Sequence, residues 1–216
     1  YFTQRGISGL YLLSKYLEEK YSECLSIAIP DYTCWEIVEK ALEGINCKIH
    51  VYQVNLLDCR KTIDIATKDK CHLTMIVDYF GTFLTSKDIK YAASKANGEV
   101  LIDSVHNLWR SRLNWLESNP EERNVSIIYS LRKSIPAFSG GIIESRIIFS
   151  SHQDYCRNED NILRIEDSLI SGTDLTAISR RQLHLHLEKN LSVNNTWISE
   201  YSKNIFARTD YKSVRD

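Results

Sequence analysis

A lysine just beyond a buried strand is costly unless something uses its amine, and the run YSLRKSIPAFSGGII over residues 129–143 places Lys133 there. In a partly desolvated pocket a lysine loses affinity for its proton, and the neutral amine condenses with carbonyls to a Schiff base. The bland alternative is a surface lysine beside Arg132. Ser130 stands three residues earlier, and Gly140-Gly141 end the run with a turn whose backbone can pass close to a bound ring.

Three other stretches carry comparable chemistry. In LIDSVH, Asp103 follows the apolar residues Leu101 and Ile102, and His106 comes three residues later. A carboxylate at the buried end of a strand must be hydrogen-bonded or paired, and a ring nitrogen it could hold protonated is a suitable partner. A loop aspartate capping the next turn is the competing reading. In QRGISGL, Gly6 and Ser8 open a helix whose exposed N–H groups and positive end favour an anion, although a small-residue helix start is more often only a cap. In DYTCW, Tyr32, Thr33, Cys34 and Trp35 sit at a strand-to-helix turn, where aromatics either pack the core or stack on a ring. A phosphate site, an aromatic turn, an acid and an amine together match one ligand, pyridoxal 5′-phosphate, which offers a phosphate, a ring face, a pyridine nitrogen and an aldehyde.

The elements that must position these residues follow from hydrophobic periodicity. Leu10, Leu13, Leu17 and Tyr21 recur at helical spacing, predicting an amphipathic helix from Ser8 to Tyr21 with Ser8 available as its cap. CLSIAIP, KIHVYQV, HLTMIVDYF and EVLIDS read as buried strands, separated by helices over YTCWEIVEKALEGINC (Gly44 as its stop), near residues 57–67, and over SKDIKYAASKANG. This alternation implies a doubly wound, three-layer α/β/α domain with a mostly parallel sheet, and ligands of such sheets bind at the carboxyl ends of the strands. NVSIIYS and GGIIESRIIFS follow one another without a crossover helix, so one of them is expected to run antiparallel.

Composition narrows the class. The chain has 216 residues, 43% of them hydrophobic, and a net charge of −1 from 27 basic and 28 acidic residues that are well mixed, which disfavours a nucleic-acid partner. Six cysteines without a C-x-x-C pair read as reduced thiols of a cytoplasmic protein, and no apolar run is long enough to cross a bilayer. His184 and His186 lack companions at metal-ligand spacing, so no metal site is expected. Residues 1–154 are read as the ligand-binding large domain and 155–216 as a helical continuation towards a smaller C-terminal domain that is truncated or absent. The start at Tyr1, without an initiator methionine, is expected of a piece of a longer protein.

The order IPDYTCW, VDYFG, LIDSVHNLW and YSLRKSIPAFSGG resembles the sugar-aminotransferase family of fold-type I pyridoxal-phosphate enzymes named after DegT, DnrJ and EryC1, over roughly residues 2–143. The resemblance implies a Schiff-base lysine at Lys133, a pyridinium partner at Asp103, and His106 where the family usually has a glutamine near the ring. It places Gly6, Ile7 and Ser8 at the phosphate, with Ser130 as a further hydroxyl. Ile7 stands where relatives tend to have a polar residue, and so offers only its backbone N–H. Cys34 stands where an aromatic commonly stacks, leaving Trp35 or His106 to cover the ring. The implied activity is amino transfer from glutamate to a nucleotide-linked keto sugar in cell-surface polysaccharide or secondary-metabolite biosynthesis, in a homodimer whose subunits share the site. A branch that dehydrates sugars carries histidine in place of the lysine, and Lys133 argues against it. Two alternatives stay open: another fold-type I enzyme such as a lyase, and a non-catalytic subunit that keeps the fold for dimerisation or binding.

Borohydride reduction of the full-length protein followed by peptide mapping is expected to find a pyridoxyl group on Lys133, lost in Lys133→Ala and kept in Arg132→Ala. A pyridoxyl group on a different lysine contradicts the assignment.

Overall fold

The computed structural model describes residues 2–3, 5–106, 115–130 and 140–149. Lys133 and the whole of 155–216, including His184 and His186, lie outside the described residues. The elements are β1 (Phe2–Thr3), α1 (Ser8–Tyr21), β2 (Leu25–Pro30), α2 (Trp35–Leu42), β3 (Cys47–Tyr52), α3 (Cys59–Ala66) and β4 (Leu73–Val77). A 3-10 turn (Tyr79–Gly81), α4 (Ser86–Lys95), β5 (Glu99–Asp103), α5 (Trp115–Ser118), β6 (Val125–Ser130) and β7 (Gly141–Glu144) follow.

Local signals set most boundaries. The Asp58 side chain accepts from the Lys61 N–H to cap α3, and Thr85 and Asp88 form a reciprocal capping box at α4. Gly44 takes φ +78 just past α2, a conformation that costs glycine nothing and stops the helix. Three expectations are corrected. The cap of α1 is Ile7 rather than Ser8, with no side-chain hydrogen bond. The helix expected from Tyr32 begins at Trp35, because Tyr32–Cys34 form the turn into it. The strand expected to run through Phe80 stops at Val77, where Asp78 turns the chain. The short β1 and α5 carry too few residues to show a period.

The strands form one seven-stranded sheet in the order β1-β7-β6-β5-β4-β2-β3. The pairs from β6 through to β3 are parallel, and β7 runs antiparallel to both its neighbours, so it is the expected antiparallel strand. Every residue of β4 and β6 is buried, as strands covered on both faces require. Alternate residues feed two cores. Leu73, Met75, Val77, Leu101 and Ile128 pack with Leu10, Leu13 and Leu17 of α1 and Val38 and Leu42 of α2. On the opposite face Ile76, Val100, Ile102, Ile127 and Tyr129 pack with Ile63 of α3, Ile89 and Ala92 of α4 and Trp115 of α5. The layers are therefore helix, sheet, helix, as the sequence implied. β3 pairs with β2 on one side while β4 pairs with β2 on the other, so the strand order reverses at β2 and opens a crevice beyond its carboxyl end.

Gly9 fixes how closely α1 lies on the sheet, because a Cβ there would collide with a methyl group of the buried Ile128 and press on Ile143. Alanine would add about 1 kcal/mol of helix propensity, but overpacking a full core costs about 1–3 kcal/mol. Gly9→Ala is therefore expected to lower the thermal midpoint measured by circular dichroism; a raised midpoint would show that α1 does not bear on the sheet there.

Candidate functional site

Side chains alternate along a strand, so Asp103 shares the face of Leu101 and Ser130 that of Ile128, both towards α1 and α2. Pairing of Val77 with Asp103 and of Asp103 with Ile128 brings the carboxyl ends of β4, β5 and β6 level. All three chain ends line a cavity of about 590 Å³ whose wall is completed by Arg5–Ile7, by Tyr32–Cys34, by Tyr79 and Phe80, and by Val105 and His106. That volume is in the range that takes a cofactor-sized ligand.

Asp103 is only 8% exposed, and its Oδ1 accepts from the Val105 N–H at 3.0 Å. Its carbonyl accepts from the Asp78 N–H at 2.9 Å, and the Ser104 N–H donates to the Ile128 carbonyl at 2.9 Å. These bonds fix the acid as the last residue of the ladder, with its carboxylate on the cavity wall. The Arg5–Ile7 loop comes close for steric reasons. A Cβ on Gly6 would lie 2.9 Å from Val105 Cγ1 and 3.0 Å from the Tyr129 carbonyl oxygen, and one on Gly141 would overlap the backbone of Arg5 and Gly6. The close approach at Gly141 is thus to this loop. Within the first turn of α1, the N–H groups of Ser8, Gly9 and Leu10 donate to the carbonyls of Arg5, Gly6 and Ile7 at 3.0, 3.0 and 2.9 Å. No acidic residue stands in that first turn of α1.

Aromatic rings form the mouth. Tyr32 and Tyr79 stack at 5.4 Å between centroids, and the Tyr79 hydroxyl donates to the Tyr32 carbonyl at 2.6 Å. Burial, with smaller contributions from Asp31, Asp103 and Tyr32, pushes the Tyr79 phenol well above its ordinary pKa, so it remains a neutral donor. The Phe80 and His106 rings lie 6.2 Å apart at 12°.

Of the residues singled out from sequence, Gly6, Ile7, Cys34, Asp103, His106 and Ser130 meet around this cavity. Ser8 instead lines a neighbouring cavity with Tyr11, Glu36 and Lys40, which shares Arg5, Ile7 and Cys34 with the first. Trp35 packs against the core beside α2 and donates its indole N–H to the Asp31 carbonyl at 3.2 Å. Arg5, Tyr79 and Phe80 were not foreseen as site residues; the signal for the last two was an aromatic pair immediately after a strand.

The sequence matches no family model and no curated protein. Solved structures do match the fold. YbdL from Escherichia coli, whose structure and reactivity identify a methionine aminotransferase function, is 10% identical with a TM-score of 0.57 over 88% of this chain and 56% of its own. The PLP-bound C-S lyase from Staphylococcus hominis is 11% identical, with a TM-score of 0.55 over 89% of this chain and 56% of that one. The complex of SepCysS with the SepCysE N-terminal domain contains a chain that is 15% identical, with a TM-score of 0.57 over 88% of this chain and 58% of that one. The chain thus spans 56–58% of the length of these three. Its fold is the three-layer α/β/α architecture of fold-type I pyridoxal-phosphate enzymes, with a mostly parallel sheet.

Removing the Tyr79 hydroxyl leaves the Tyr32 carbonyl without that donor, a loss of about 1 kcal/mol for an ordinary hydrogen bond. Tyr79→Phe, which keeps the stacked ring, is expected to lower the thermal midpoint by about 2–4 °C. An unchanged midpoint would remove this bond from the account of the mouth.

Proposed function

We propose that the cavity at the carboxyl ends of β4, β5 and β6 holds pyridoxal 5′-phosphate and that the protein is an aminotransferase. The observation that carries this reading is the convergence of Asp103, Ser130, the Gly6–Ile7 loop and the aromatic residues of two strand-to-helix turns on one cavity. The residues fit the group. Asp103 supplies a carboxylate, held by the Val105 N–H, on the wall of a space of suitable volume. Missing Cβ atoms at Gly6 and Gly141 let the Arg5–Ile7 loop approach closely enough to offer backbone N–H groups to a phosphate. When bound, the cofactor supplies an electron sink for the carbanion formed on an amino-group donor or acceptor.

The chain's own residues would work as follows. Asp103 holds the proton on the pyridine nitrogen, which keeps the ring electron-poor. Gly6, Ile7 and Ser130 grip the phosphate, with Arg5 adding positive charge at the entrance. His106 and Phe80 form one wall against the ring, and Tyr32 and Tyr79 narrow the mouth and limit water. Lys133, three residues after Ser130 in the chain, is the residue whose amine would hold the cofactor's aldehyde and would move a proton at the reacting carbon. Glutamate as donor, a nucleotide-linked keto sugar as acceptor and a homodimer are what the resemblance of the motifs from IPDYTCW to YSLRKSIPAFSGG to sugar aminotransferases implies, and the unpaired spacing of the cysteines supports a cytoplasmic protein.

Asp103→Asn is the experiment that tests the reading, because a neutral amide keeps the shape of the site but cannot hold the pyridinium proton. The full-length variant is expected to retain pyridoxal phosphate, seen by its visible absorption, and to lose at least about 100-fold in transamination with glutamate, the scale on which a positioned acid–base group acts. Turnover close to wild type would remove Asp103 from the mechanism.

A further inference from the structure

Phe80 is held in a backbone conformation that L-residues rarely adopt, with φ +55 and ψ +8, between Tyr79 and a Gly81 at φ +67. The surroundings enforce it. Asp78, fully buried, accepts the Gly81 N–H on its carbonyl at 2.9 Å and the Leu84 N–H on its Oδ1 at 2.9 Å, and its own N–H donates to the Asp103 carbonyl at 2.9 Å. The turn after β4 is thus anchored at both ends and tied to the residue that ends β5. A glycine would take this conformation without strain. A phenylalanine there does something glycine cannot: it lays a ring within 12° of parallel to His106, at 6.2 Å between centroids, on the wall of the cavity. Strain of this kind persists where the neighbouring structure over-determines it, and it concentrates at sites that need a side chain held in one place.

The geometry points to Phe80 as a positioning residue that fixes the plane of the His106 imidazole, and through it one face of the ring site. This rests on the proposed function, since it assumes that His106 borders a bound pyridoxal phosphate. The coupling is local: His106 lies three residues past Asp103, so a change in its tilt alters the ring's surroundings without displacing the acid. Phe80 stands on a turn whose backbone Asp78 holds by hydrogen bonds, with the His106 ring stacked beside it.

The test uses the full-length protein and three substitutions. Phe80→Tyr keeps the ring, Phe80→Leu keeps apolar bulk without it, and Phe80→Gly suits the turn while removing the side chain. One readout needs no cofactor: the His106 ring-proton resonances, assigned by their loss in His106→Gln, which report the neighbouring aromatic ring. The other is the induced circular dichroism of the visible band with pyridoxal phosphate bound. Phe80→Leu and Phe80→Gly are expected to shift the His106 resonances and change the dichroic band at least twofold, while Phe80→Tyr leaves both near wild type. Unchanged resonances and band in Phe80→Leu and Phe80→Gly would overturn the inference alone, as would a Phe80→Tyr variant as altered as Phe80→Leu. Phe80→Gly keeps the test open if Phe80→Leu does not fold. A wild-type protein that takes up no pyridoxal phosphate would instead overturn the proposed function, and the role of Phe80 towards the cofactor with it.

Discussion

A carboxylate at the end of a strand buried on both faces must find donors or a cation, and the rest of this structure is arranged around that constraint at Asp103. Its backbone is fixed by the β4 and β6 ladders, its carbonyl takes the Asp78 N–H, and its side chain takes the Val105 N–H. The side chain is 8% exposed and lies on the wall of a cavity. A protonated pyridine nitrogen satisfies such a group well, because it brings both a donor and the opposite charge. The same ladder that buries the acid levels the neighbouring strand ends. For that reason the Arg5–Ile7 loop, the aromatic turns and Ser130 come to one place.

The position of the site also follows from strand order. Because β2 pairs with β3 on one side and β4 on the other, the crevice opens where the order reverses, and the turns after β2, β4 and β5 all border it. The Arg5–Ile7 loop enters from the far side, carried by α1. How near it comes depends on three absent side chains: Gly9 against Ile128, Gly6 against Val105, and Gly141 against the loop itself. A bulkier residue at any of these would move the helix start away from the acid, so packing of small residues and placement of charge are one design.

Much of this was legible in sequence wherever a long period existed. The leucines of α1 gave its full span, the continuous apolar runs gave a parallel sheet, and the absence of a crossover between β6 and β7 gave the antiparallel strand. Asp103 could be read because its burial is a consequence of the strand that precedes it. Short features were less visible. Ile7 takes the cap position because Ser8, Gly9 and Leu10 bond back into a tight turn, which no residue type announces. Tyr79 and Phe80 continue an apolar run and look like strand, yet the buried Asp78 bends the chain and turns their rings into the cavity wall. Trp35, one of two residues offered as a ring cover, is half-buried against the core and does not line the cavity, since one residue of rotation on a helix moves a side chain by about 100°.

The central claim is that Asp103 at the end of β5 is the partner of a pyridine nitrogen. A crystal structure of the full-length protein with pyridoxal 5′-phosphate tests it most directly. The account predicts the pyridine nitrogen within about 3.2 Å of an Asp103 carboxylate oxygen, with the phosphate beside Gly6 and Ile7. A cofactor seated in this cavity with its nitrogen turned away from Asp103, or bound elsewhere on the protein, would contradict it.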